Sequence, residues 1–178
     1  MPHLIRVLED DHQKIRSVCE GLKSACAVPV ENRDDSFCWE NFEILKKILR
    51  SHSEAEEAAL YDLFEDDAVP HQSNLRDLSL EGYEEHSLMN LMLEHMDRHR
   101  QIDDVWKAQL TVLSELLDHH LDEEEKDFFP KVKSALDDGQ LRDIAVIYIT
   151  ERDDLLNSYE DEERPSKGIR DGVSSAHP

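Results

Sequence analysis

The chain has 178 residues, 35% of them charged, and a formal net charge of −22. That length suits one domain with a sizeable core, and the charge excludes nucleic acid and anionic membrane as expected partners, since both would be repelled. Only five glycines and few β-branched runs outside Ile144–Ile149 favour helix over sheet. Cys19, Cys26 and Cys38 form no C-x-x-C pair, and an odd count closes no disulfide framework. The opening Met-Pro-His-Leu-Ile-Arg lacks the apolar core of a signal peptide, and no apolar run reaches the length of a membrane span. A reduced, cytoplasmic protein is expected.

Taken in order, residues 4–26 read as a first helix. Ile5, Leu8, His12, Ile15, Cys19, Leu22 and Cys26 recur at steps of three and four, one buried stripe that places the cysteines in the core. A polar loop, Pro29 to Ser36, ends it. The second helix is expected from about Phe37 to Phe64, burying Leu45, Ile48, Leu49, His52, Glu56, Ala59 and Leu63. A connection around Pro70 follows. The third helix is expected from Tyr83 to about Gln101, with Tyr83, His86, Met89, Asn90, Leu93 and Met96 inward. Asp103 or Asp104 caps a fourth that runs to about Phe128 before Pro130. Asp137-Asp138-Gly139 interrupts the chain, Leu141–Leu156 forms a shorter fifth helix, and charge, Pro, Gly and Ser dominate from Glu160. The expected fold is all-α: an up-down-up-down four-helix bundle over residues 1–135, an additional helix packed on it over 136–159, and a disordered tail over 160–178.

One pattern is written twice. His52 is followed by Glu56, Glu57 and Tyr61, and His120 by Glu124, Glu125 and Phe129 at the same offsets. Positions i and i+4 share a helix face, so each copy presents an imidazole and a carboxylate one turn apart. The spacing of His12, His52, His86 and His120 agrees with the bundle. The midpoints between successive histidines are positions 32, 69 and 103, each at an expected turn. Four histidines therefore stand at one height, with Glu56 and Glu124 beside two of them.

Burying that many polar groups at one level without an ion leaves several short of partners, each at a cost of a few kcal/mol. Four nitrogens and two carboxylates, with no thiolate at the level, suit a pair of ions: iron first, then manganese or zinc. The expected ligands are His12, His52, Glu56, His86, His120 and Glu124. His119 and Glu123 repeat the spacing of His120 and Glu124, but His119 points about 145° from the apolar side of its helix and reads as a surface or supporting residue. His95 and His99, also four apart, are expected to face solvent.

Asp11-His12, His52-x3-Glu56-Glu57-x3-Tyr61, Glu85-His86 and His120-x3-Glu124-Glu125-x3-Phe129-Pro130 together resemble the hemerythrin-like family, in its bacterial HHE cation-binding branch. The resemblance spans residues 4 to about 133. It implies a four-helix bundle around an oxygen-bridged non-haem di-iron centre with those six ligands. The oxygen-carrying members have a second histidine four residues after the third-helix ligand, where this chain has Asn90, and His-x4-Asp where it has His120-x3-Glu124. Both departures resemble bacterial di-iron proteins of nitric oxide stress and iron–sulfur repair, and the hemerythrin-like domain of an iron-sensing F-box protein.

Three functional classes fit these residues. The favoured one is a di-iron protein that binds or reacts with oxygen, peroxide or nitric oxide as sensor, scavenger or stress-response protein, with enzymatic turnover left open. The others are an iron-binding or iron-sensing module without turnover, and a metal-free acidic helical bundle that binds other proteins.

Overall fold

The computed structural model describes residues 3–65 and 73–162. The described residues form helices and turns without a strand: α1 (Leu4–Cys26), a 3-10 turn (Val30–Asn32), α2 (Asp35–Glu56), a π-turn (Glu57–Tyr61), α3 (Asp62–Glu65), α4 (Ser73–His99), α5 (Asp104–Glu123), a second π-turn (Glu124–Phe128), α6 (Phe129–Ala135) and α7 (Asp138–Glu162). Helices α1, α2, α4 and α5 pack in a ring, each against the next, and α7 lies across α1 and α2. This is the up-down-up-down bundle with a fifth helix.

The α1 stripe is buried at every expected position, and its bounds match. Asp34 caps α2 through Ser36 and Phe37 N–H, and Asp103 caps α5 through Trp106 N–H. The Asp137-Asp138-Gly139 break is itself a cap: the Asp137 carboxylate accepts from Gly139 and Gln140 N–H at 2.7 and 2.9 Å. The fifth helix therefore starts before Leu141, and it extends past Leu156 to Glu162. The tail expected from Glu160 thus loses Glu160, Asp161 and Glu162 to α7; residues 163–178 lie outside those described, as does Pro70.

Three expectations are displaced for a physical reason. The third helix begins ten residues before Tyr83, at Ser73, so that Leu75 and Ser79 are buried and Gly82 lies inside it. A Cβ at Gly82 would meet the Tyr61 hydroxyl at 2.5 Å and its ring at 2.7 Å. Only glycine allows that contact. The second helix does not run unbroken to Phe64. A π-turn adds a residue to the helical repeat and rotates the downstream residues by about one position. Leu63, expected inward, is consequently 42% exposed, and Phe64 takes the buried place at 3%. The fourth helix likewise becomes a π-turn from Glu124, and Pro130 falls in the first turn of α6, where its missing N–H leaves no bond unmade.

The interior is two apolar clusters with a polar layer between them. One holds the Trp39, Phe42 and Trp106 aromatic group with Cys19, Cys26 and Cys38, all three free thiols. The other, at the opposite end, joins Leu4, Leu8, Tyr61, Phe64, Phe128 and Phe129 to Leu141, Ile144 and Tyr148 of α7. His12, with Leu8 and Ile15 on either side along α1, lies at the level of the layer.

Candidate metal centre

The layer consists of His12 on α1, His52 and Glu56 on α2, His86 on α4, His120 on α5, and Glu124 at the start of the second π-turn, all buried. All six expected residues meet there. Their ligand atoms fall into two adjoining groups: Glu56, His86, His120 and Glu124, then His12, His52 and Glu124. Glu124 belongs to both, and Glu56 Oε2 lies 3.5 Å from His52 Nε2, at the boundary.

Each histidine is held from behind through Nδ1. His12 donates to Glu125 at 2.9 Å, His86 to Glu57 at 2.8 Å, His120 to Glu85 at 2.7 Å and His52 to the Tyr148 hydroxyl at 2.8 Å. A proton fixed on Nδ1 leaves the Nε2 lone pair facing the centre, the tautomer a metal ligand requires. The repeat explains the partners. Glu57 and Glu125 follow the carboxylates at 56 and 124, and each secures a histidine of another helix. Tyr61 and Phe129, at matching offsets, lie against the same two histidines, at 5.4 Å from His86 and 5.4 Å from His12. Glu85, just before His86, secures His120. Its counterpart Asp11, one methylene shorter, acts through an intermediary: Tyr148 donates to Asp11 at 2.7 Å while accepting from His52. Arg152 holds Asp11 from outside at 2.6 Å.

The atoms turned inward fit a cation. His52 Nε2 and both oxygens of Glu56 are buried without a hydrogen-bond partner, a state that costs about 1–3 kcal/mol per group, and His12 Nε2 and Glu124 Oε2 face each other at 3.2 Å without a well-formed hydrogen bond. His86 Nε2 and His120 Nε2 stand 2.9 Å apart. With both protons on Nδ1, two lone pairs face each other there. Two nitrogens bound at right angles to one ion at about 2.1 Å would be separated by about 3.0 Å. The spacing is that of two ligands sharing an ion.

The electrostatics are those of one coupled cluster. Burial holds His52 well below the usual imidazole range, and burial with the neighbouring His120 holds His86 down to about 3. Burial also opposes charge on His12 and His120, but Glu124 with Glu125, and Glu124 with Glu85, outweigh it and raise both. Burial and the charge of Glu124 push Glu56 well up, while His120 and His12 overcome burial at Glu124 and hold it well down. Burial, then the charges of Glu124 and Glu56, keep the Tyr61 hydroxyl protonated, and it donates to Glu124 Oε1.

The remaining candidates stand apart. His119 is at the surface, 3.7 Å from Glu85 and from Glu123. His95 is exposed; His99, half-buried rather than fully facing solvent, bonds Asp103 at 2.9 Å. Asn90 is half-buried. Tyr148 carried no signal in the sequence.

Fold and site define a helical bundle whose polar layer is arranged to hold cations. Residues 3–132 match the family profile of the hemerythrin HHE cation binding domain, and the chain belongs to that family. No curated protein matches the chain. Among the described residues no helix is long and apolar enough to cross a membrane.

Proposed function

We propose that the protein is a non-haem di-iron protein that binds or reacts with oxygen, peroxide or nitric oxide. The observation that carries this reading is the pair of buried ligand groups sharing Glu124. His86, His120, Glu56 and Glu124 would hold one ion; His12, His52 and Glu124 would hold the other. Bound iron would supply open coordination positions and electrons for a small ligand. Asn90 supports a reactive centre over a carrier, because no third histidine backs His86 one turn along α4.

The protein's own groups have three tasks. Four Nδ1 partners keep the imidazoles in the ligating tautomer. The apolar clusters on both sides of the layer keep bulk water out. The Tyr61 hydroxyl holds a proton against Glu124 Oε1, at the edge of the centre.

Anaerobic loading with ferrous iron should end at about two ions per chain, measured by elemental analysis. On air exposure the optical spectrum should change and not revert when oxygen is purged with inert gas. A reversible oxygen spectrum would show a carrier. Two ions that respond to none of the three ligands would leave an iron-binding module, and an ion content near zero would leave the metal-free bundle.

A further inference from the structure

We propose a second, outer cation site, formed by Glu85, His119 and Glu123, through which divalent ions load the buried centre. The inference rests on the metal-centre reading above and adds the route by which the centre is filled. Towards the end of α5 and into the π-turn after it, the His and Glu pair is written twice, one residue out of phase: His120 with Glu124, and His119 with Glu123. One residue is a rotation of about 100°, which takes the second pair from the core to the surface. The side chains of His119, Glu123 and Glu85 are 65%, 32% and 15% exposed, in order of depth.

Their geometry suits an ion better than it suits the residues themselves. His119 Nε2 lies 3.7 Å from Glu85 Oε1 and 3.7 Å from Glu123 Oε2. That is too far for hydrogen bonds. It falls inside the separations of about 3.0–4.2 Å expected between atoms bound to one first-row ion at about 2.1 Å. Three ligands open to water make a transit site, weaker than the buried groups.

A second observation ties this cluster to the interior. Glu85 and Glu123 line a narrow recess together with Tyr61, Gly82, His120 and Glu124. The buried Oε2 of Glu124, without a well-formed hydrogen bond, thus belongs to a side chain on the wall of the recess that the outer cluster borders. Glu85 spans both levels, one oxygen towards His119 and the other on His120 Nδ1 at 2.7 Å. The other copy of the repeat, on α2, lacks this outer pair. At the positions on α2 that match His119 and Glu123 stand Ser51 and Ala55, both buried, and α7 packs across α2.

The test is stopped-flow loading of the metal-free protein with cobalt(II), followed by absorption, with the end point read by elemental analysis. His119→Ala and Glu123→Gln should each slow loading by on the order of tenfold while reaching the wild-type end point. Glu115→Gln, which removes the same charge from an exposed position on the same helix, should load at the wild-type rate. Loading of His119→Ala and Glu123→Gln as fast as Glu115→Gln would overturn the outer site and leave the buried centre standing. A wild type that takes up no cobalt would overturn both.

Discussion

Tyr148→Phe isolates one hydroxyl and tests how the centre is held. The ring is fully buried, and its volume is kept, so the substitution opens no cavity of ring size. It deletes the acceptor 2.8 Å from His52 Nδ1 and the donor 2.7 Å from Asp11, which retains Arg152 at 2.6 Å. In the metal-free protein His52 then has two options. Its Nδ1–H stays buried without an acceptor, at about 1–3 kcal/mol. Alternatively the proton moves to Nε2, towards Glu56 Oε2 at 3.5 Å, and occupies the lone pair an ion needs. By the second route, loss of such a support lowers metal affinity about 10–100-fold, or about 1.4–2.8 kcal/mol at 1.4 kcal/mol per tenfold. Urea unfolding of the metal-free protein reads the first cost, and chelator competition for bound ions reads the second. The deficit should fall on one of the two ions, the one assigned to His12 and His52. Wild-type affinity for both ions in Tyr148→Phe would show that Tyr148 does not set the tautomer of His52, and the reasoning would fail.

The packing sets further outcomes. Phe64→Ala should destabilise by about 3–5 kcal/mol, as for a buried phenylalanine, whereas Leu63→Ala should cost under about 1 kcal/mol; equal costs in urea titrations would remove the π-turn register shift. Gly82→Ala should cost about 1–3 kcal/mol by overpacking against the Tyr61 ring, which is already backed by His86 and Phe128, and an unchanged unfolding midpoint would contradict that contact. Removing bound metal with a chelator should lower the thermal midpoint, because an ion present at 100 times its dissociation constant stabilises by about 2.7 kcal/mol per site; identical melting curves with and without metal would uncouple the centre from folding.

The sequence by itself determined the bundle and the six inward polar residues. Both are statements about a repeat near 3.6, and the α1 stripe and the two His-x3-Glu pairs express that repeat locally. The same arithmetic correctly separated His120 from His119. It carried the wrong face past Tyr61, because a π-turn is a change in backbone bonding that leaves no mark in composition, and Leu63 and Phe64 exchanged places. Gly82 has no purpose visible in its local sequence, since its contact, Tyr61, lies 21 residues earlier in the chain. Glu57, Glu85 and Glu125 were visible as part of a motif, yet which imidazole each one holds depends on which helices are neighbours. Tyr148 was out of reach altogether. It stands 96 residues beyond His52, and only the packing of α7 across α1 and α2 brings its hydroxyl between His52 and Asp11. Local periodicity thus decides which residues turn inward, and tertiary packing decides what each of them touches, because hydrogen bonds between helices depend on positions that no single helix contains.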